Sequence, residues 1–179
     1  QSNDPVLFQK QLATLRAFGA PYTYIQGGAQ GQGGNQTLGS GAERRGKIAL
    51  GSELGGSGTV NRAGLAIAER GVRNVLVHLG ILPASDWVEP PAPTRFLDVR
   101  GQDYYVYAPE NGVFEPLVEL GDTVSIGTPA ARIHFTETPW LPPVEITFKA
   151  AGIVMCKRIP ARTKRGDCLF HLASDLTIT

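Results

Sequence analysis

The sequence contains few cysteines and no long apolar segment. Cys156 and Cys168 are its two cysteines, and their spacing of twelve matches neither a CxxC redox pair nor a zinc knuckle. We predict two reduced, buried thiols. No apolar run approaches the roughly 20 residues that cross a bilayer, and the first 30 residues lack the basic and apolar regions of a signal peptide. These absences predict a cytoplasmic protein without a membrane partner.

An excess of charge of one sign is also absent. Seventeen Lys and Arg residues stand against sixteen Asp and Glu residues, which gives a formal net charge of +1 over 179 residues. Such a chain has no overall field that attracts nucleic acid, so a dedicated nucleic-acid partner is excluded. A hydrophobic fraction of 42% is enough for the core of one ordinary domain or two small ones.

Several common functional motifs are missing. The chain has no GxSxG elbow and therefore no site for a serine nucleophile of that type. His78, His134 and His171 are isolated along the chain, which is typical of structural histidines and not of metal ligands. The segment from Gly41 to Ile48 nearly matches a P-loop, but Ile48 stands where a magnesium-binding hydroxyl is required.

The first half of the chain carries signals of helices and strands. Asp4, Pro5 and the apolar spacing that follows predict a helix from about residue 5 to residue 18, closed by Gly19. Twelve glycines lie among the 32 residues from Gly27 to Gly58, which predicts a long loop region that is mobile or forms a site.

Two apolar segments of this half predict a parallel sheet. Lys47–Leu50 reads as a buried strand ending near Glu53, residues 61–70 as a helix stopped by Gly71, and Val72–Leu79 as a second strand. A strand, a crossover helix and a second strand imply a parallel α/β sheet.

The second half predicts a β domain with an internal repeat. Prolines are frequent between residues 83 and 93, which indicates a domain boundary, and short β-branched segments follow to the end of the chain. Residues 105–135 and 144–172 share one pattern of strands and glycine turns, with glycine intervals of fifteen and fourteen. Two such units are too small to bury an apolar face alone, so we expect them to form one shared core.

The spacing of Gly112, Val113, Val118, Gly121, Asp122, Val124 and Gly127 resembles that of the lipoyl and biotinyl carrier fold, a barrel-sandwich hybrid. The resemblance covers about 70 residues. It predicts an all-β barrel-sandwich domain over residues 96–179.

Glu53 is the candidate catalytic residue that the sequence itself suggests. A carboxylate at the end of a buried strand, followed by a glycine cluster, is placed where α/β sheets carry catalytic groups. Glu53 is then a general base. A structural role, in which Glu53 caps the loop or pairs with Arg44 or Arg45, is equally compatible with the composition.

The block from Lys47 to Leu82, followed by a carrier-like β domain, resembles the C-terminal portion of the succinylglutamate desuccinylase/aspartoacylase family. It is most similar to the branch of N-acetyl-diaminobutyrate deacetylases. The Glu53-Leu-Gly-Gly-Ser-Gly58 run is the more specific element, and the two segments cover about 130 of the 179 residues.

This resemblance implies a function, a fold and a set of sites. Residues 1–83 become the C-terminal part of a zinc carboxypeptidase-like α/β catalytic domain with a parallel or mixed sheet, and residues 84–95 a Pro-rich linker. The implied reaction is hydrolysis of the amide of a small N-acylated amino acid. Glu53 would be the base that activates a zinc-bound water, and Arg44 or Arg45 is a candidate for binding the substrate carboxylate.

In the family, the zinc ligands, a His-x-x-Glu motif and a later His, lie upstream of the region that this chain resembles. The His-x-x-Glu spacing of His134 and Glu137 lies within the predicted β domain instead. The resemblance therefore predicts an inactive part of a deacylase whose metal-binding half lies upstream, with zinc as the implied cofactor. A non-enzymatic binding or assembly module built on the β domain is the alternative. Association of copies of the chain stays open.

A first prediction concerns covalent cofactors. Carrier domains attach lipoyl or biotin to a lysine between their two halves, and the corresponding segment, residues 136–143, contains none. We expect the intact mass to equal that of the sequence after expression with a lipoate or biotin ligase and its cofactor. A known carrier domain modified in the same cells is the control, and an added lipoyl or biotinyl mass on this chain would contradict the prediction.

Overall fold

The chain folds as two compact units. A computed structural model describes residues 4–25, 37–56 and 58–178. Unit 1 contains residues 1–96 together with 177–179, and unit 2 contains residues 97–176. Within the described part, no helix is both long and apolar enough to span a membrane.

The fold is mixed α/β, with helices in unit 1 and mostly strands in unit 2. The helices are α1 (Pro5–Phe18), α2 (Leu38–Glu43) and α3 (Arg62–His78). The strands are β1 (Tyr22–Tyr24), β2 (Arg95–Asp98), β3 (Tyr105–Tyr107), β4 (Gly112–Pro116), β5 (Thr123–Val124), β6 (Pro129–His134), β7 (Val144–Thr147), β8 (Gly152–Lys157), β9 (Arg162–Thr163) and β10 (Cys168–Asp175).

Helix α1 has the ends that its sequence predicts. The Asp4 carboxylate accepts hydrogen bonds from the backbone N–H groups of Val6 and Leu7, at 2.9 and 3.3 Å. Such a cap supplies partners for N–H groups that the first helical turn leaves free. Gly19 ends the helix in the left-handed conformation, with φ of 67°, and its N–H donates to the Leu15 carbonyl. The predicted helix is confirmed.

The predicted helix over residues 61–70 and the predicted strand Val72–Leu79 form one helix, α3. Gly71 does not stop it. A Cβ atom at Gly71 would lie 2.5 Å from the ring of Phe18, the last residue of α1. The glycine is therefore a packing residue that lets a ring rest on the helix backbone, and the β-branched residues after it stay helical.

The predicted strand Lys47–Leu50 is also wrong. These four residues form no strand in the structure, and Leu50 is exposed. The helix α2 lies instead within the glycine-rich region that we predicted as a loop, whose first ten residues, 27–36, fall outside the described residues. Both strands of the predicted strand–helix–strand crossover are therefore missing among the described residues, and β1 pairs with β2 instead.

A buried asparagine fastens the proline-rich segment to α3. The Asn74 side chain is fully buried, donates to the Val88 carbonyl at 2.8 Å and accepts from the Val88 N–H at 2.9 Å. Further along, the Arg95 N–H donates to the Pro21 carbonyl at 3.0 Å. Residues 84–95, predicted as a linker, lie within unit 1, and the division between the units falls after Phe96.

Unit 2 contains two antiparallel sheets. In one sheet β10 pairs with β8, with β3 and with the end of β2, and β8 pairs with β5. The order of the other sheet is β7-β6-β4-β9. The repeat copies are β3 to β6 and β7 to β10, and each sheet takes two strands from each copy.

Corresponding residues of the two copies make the same contacts. Gly112 pairs with Thr163 across β4 and β9, as Gly152 pairs with Val124 across β8 and β5. A Cβ atom at either glycine would lie within 2.7 Å of a carbonyl oxygen on the neighbouring strand. The glycines that mark the repeat in the sequence are therefore sites of close backbone approach.

The two copies bury one common core. The Phe170 ring packs against the rings of Phe114 and Phe148, at centroid distances of 5.5 and 5.6 Å. Residues of both copies complete the cluster: Val106, Ala108, Val124, Ala130, Ala131, Ile133, Ala150, Val154, Leu169 and Leu172. The prediction of a shared core is confirmed. The prediction of buried thiols is wrong, because Cys156 on β8 and Cys168 on β10 are both exposed.

The contact between Gly71 and Phe18 yields a stability prediction. Gly71→Ala should lower the free energy of unfolding by about 1–3 kcal/mol, the usual effect of an overpacked core. Helix propensity alone predicts the opposite, a gain of about 1 kcal/mol. Urea unfolding followed by circular dichroism measures the change.

Ala66→Gly, at an exposed position of the same helix, calibrates the propensity effect. A Gly71→Ala variant as stable as the unchanged chain would contradict the role of the ring contact.

Candidate functional site

Glu53 lies in the irregular segment between α2 and α3. It does not end a strand, and its side chain is exposed. Among the described residues, no hydrogen bond or ion pair involves the Glu53 carboxylate. The structure thus assigns no structural partner to this group, although the sequence allowed one with Arg44 or Arg45.

A tight turn follows Glu53 directly. Gly56 and Thr59 form an isolated β-bridge, and the Gly56 carbonyl accepts from both the N–H and the hydroxyl of Thr59, at 3.1 and 2.9 Å. Gly55 and Gly58 adopt φ angles of 85° and 67°. Residues with a Cβ atom rarely adopt such angles, so the glycines of this segment are required by the turn.

The turn is anchored to the first turn of α3. The Asn61 side chain caps the helix by accepting from the Gly64 N–H at 2.8 Å. Gly64 is buried, and a Cβ atom there would lie 3.2 Å from the Leu54 Cβ and 3.4 Å from the Gly55 nitrogen. The backbone after Glu53 therefore rests on the helix. The contact between Gly64 and the backbone after Glu53 leaves no signal in the sequence, although Asn61 before a helical pattern is a recognisable cap.

Arg44 and Arg45 lie just after α2, and both are exposed. The Gln11 side chain of α1 donates to the Glu43 carboxylate at 2.6 Å, which connects the end of α2 to α1. The Arg45 guanidinium donates to the Gly41 carbonyl at 3.2 Å. The two candidate arginines and Glu53 thus lie in one continuous stretch of unit 1, between α1 and α3 in the chain.

The three histidines lie on different elements. His78 ends α3, His134 ends β6 beside Glu115 at 2.6 Å, and His171 stacks on the Tyr105 ring with centroids 4.1 Å apart. Burial lowers the pKa of His171. Across residues 4–25, 37–56 and 58–178, no three His, Cys, Asp or Glu side chains are grouped so that they could hold a metal ion.

Comparison with known proteins shows what this arrangement resembles. No family model matches the chain. The N-alpha-acetyl-L-2,4-diaminobutyric acid deacetylase of Halomonas elongata is 34% identical over 165 residues, which cover 92% of this chain and 47% of that protein.

Solved structures give the same result. The succinylglutamate desuccinylase/aspartoacylase of Rhodobacter sphaeroides matches with a TM-score of 0.85 and 38% identity, over 97% of this chain and 51% of that one. The product-bound ectoine utilization protein of Ruegeria pomeroyi matches with a TM-score of 0.84 and 31% identity, over 96% of this chain and 51% of that one.

The chain therefore has the mixed α/β fold of about one half of these proteins. More specifically, the chain is homologous to proteins of the succinylglutamate desuccinylase/aspartoacylase family, and its curated relative is a diaminobutyrate deacetylase, so the resemblance found in the sequence is confirmed. The chain spans about half the length of these relatives.

The turn after Glu53 yields a local prediction. Gly55→Ala should loosen it more than Gly58→Ala, because a Cβ atom at Gly55 would lie 2.9 Å from the Asn61 Cβ, whereas the space at Gly58 is open. Both changes carry the strain of a positive φ, about 1–2 kcal/mol. A glutamate-specific protease should therefore cleave after Glu53 faster in the Gly55→Ala variant than in the Gly58→Ala variant. Equal rates would show that the turn is not anchored through Asn61.

Proposed function

We propose that the chain is part of a zinc-dependent deacylase that hydrolyses the amide bond of a small N-acylated amino acid. The observation that carries the proposal is the similarity of almost the whole chain to a deacetylase at 34% identity and to a succinylglutamate desuccinylase/aspartoacylase at 38% identity. The exposed carboxylate of Glu53, without a partner among the described residues and on an anchored turn, supports its role as the general base.

The described residues do not fit a zinc site, because they contain no suitable group of ligands. The metal ligands then belong to the half of the relatives that this chain does not match. The chain by itself is then inactive.

Unit 2 is proposed to be a barrel-sandwich domain. Each of its two sheets takes strands from both sequence copies, which supports that architecture.

In the proposed reaction Glu53 moves one proton twice. Its carboxylate accepts a proton from a water molecule as the water oxygen bonds to the amide carbonyl carbon. It then gives this proton to the amide nitrogen as the C–N bond breaks, which releases an acid and a free amine. Arg44 or Arg45 binds the carboxylate of the amino acid, since a guanidinium matches the geometry of that group.

Replacement of Glu53 tests this role in an assembled enzyme. We would use a chimera in which this chain replaces the matching half of the Rhodobacter sphaeroides relative. Glu53→Gln keeps the size of the side chain but removes the base, so kcat for amide hydrolysis should fall by about 10² to 10⁴. The thermal midpoint should not change, because the carboxylate makes no contact within the described residues.

Glu69→Gln, which alters an exposed carboxylate on α3, is the matched control and should keep normal turnover. Metal content is measured on the same preparations and should equal that of the unchanged chimera. Near-normal turnover of the Glu53→Gln variant would remove Glu53 from the mechanism. A folded, metal-loaded chimera without any hydrolysis would instead favour the binding or assembly module.

A further inference from the structure

Helix α3 carries an apolar stripe that faces solvent. We define the α3 stripe as Leu65, Val72 and Leu79, whose exposed fractions are 49%, 55% and 52%. Residues seven apart lie almost in line on a helix of 3.6 residues per turn. The three side chains therefore lie in one row along nearly the whole of α3, which ends at its C-cap residue Leu79.

The stripe is unusual because the helix buries its smallest residues and exposes larger apolar ones. The buried positions of α3 are Gly64, Gly71 and Asn74, and they contact the Glu53 turn, Phe18 and Val88 respectively. Burial of Leu and Val side chains is a main source of folding stability. The described part of unit 1 leaves this stabilisation unused on one face of its longest helix.

Charged residues border the stripe on its outer side. Arg62, Glu69 and Arg73 are exposed and occupy the next sector of the helix. An apolar row between a packed face and a charged rim has the composition expected at the edge of a protein interface. The charged sector stays solvated while the row is covered.

We propose that the α3 stripe is the docking surface for the half of the homologous enzymes that this chain does not match. The inference rests on the proposed function. Its support is the length of the relatives, of which the chain covers 47% and 51%, together with a row that the described residues of unit 1 leave uncovered.

This docking also bears on Glu53. Gly64, which holds the backbone of Leu54 and Gly55, is the neighbour of Leu65 at the first turn of α3. A surface that covers Leu65 therefore lies beside the Glu53 turn. Association through the stripe brings the carboxylate next to the half to which we assign the metal.

The test compares the isolated chain with the chimera described above. Val72→Glu places a charge on the stripe, and Ala66→Glu places the same charge on the exposed charged sector of α3, beside Arg62 and Arg73. In the isolated chain both variants should melt within about 2 °C of the unchanged chain, as exposed substitutions do. In the chimera Val72→Glu should lower the thermal midpoint by at least about 5 °C more than Ala66→Glu, because a buried unpaired charge is strongly destabilising.

Four outcomes of these measurements would overturn the proposal. Equal shifts of both variants in the chimera would show that the stripe stays exposed there. A loss of stability by Val72→Glu in the isolated chain would assign Val72 to the core of unit 1. If light scattering shows a dimer of the isolated chain that Val72→Glu dissociates, the partner is a second copy. A chimera with the unchanged chain that does not fold would show that the surfaces do not fit.

The readout separates this inference from the proposed function. An inactive chimera that Val72→Glu still destabilises would refute the deacylase but keep the docking surface. An active chimera that Val72→Glu does not destabilise would refute the docking surface alone.

Discussion

The packing of the Phe18 ring on Gly71 is the contact on which the organisation of unit 1 depends. The Phe18 ring occupies the space that a side chain at position 71 would fill, so α1 and α3 approach each other closely at Gly71. Helix α3 continues past this glycine, although a glycine commonly ends a helix. The same face of α3 presents Gly64 to the backbone after Glu53. A face of small residues therefore sets both the helix packing and the position of the candidate base.

Glycines also determine the packing in unit 2, where they allow close approach between strands and not between helices. Gly112 and Gly152 let carbonyl oxygens of the neighbouring strands come close, at corresponding positions of two sequence copies. Each copy alone has only four short strands, two in each sheet, which are too few to cover its apolar side chains. Exchange of strands between the copies supplies that cover, so the core around Phe170 exists only when both copies are folded.

The sequence predicted unit 2 better than unit 1, for a physical reason. The repeat, its strands and its shared core follow from local alternation and from glycine spacing, which do not depend on distant partners. Whether the segment after Gly71 is a helix or a strand depends on Phe18, which lies more than fifty positions away. The β-branched residues of that segment by themselves favour a strand. The predicted strand Lys47–Leu50 is wrong for a similar reason, because a short apolar segment forms a strand only where a partner strand is present. For the site, the sequence predicted which residue to test but not the turn that holds it.

The exposure of Glu53 limits what the carboxylate can do in this chain alone. Its side chain is exposed, and the described residues contain no group of His, Cys, Asp or Glu side chains that could hold a metal ion. General-base catalysis requires the base within hydrogen-bond reach of an oriented water, and much of its effect comes from groups held in place in a site closed to solvent. Neither condition is met by a side chain on an open turn. A cover over the first turn of α3 would supply both, since it would exclude water from the turn and bring a second set of residues to the carboxylate.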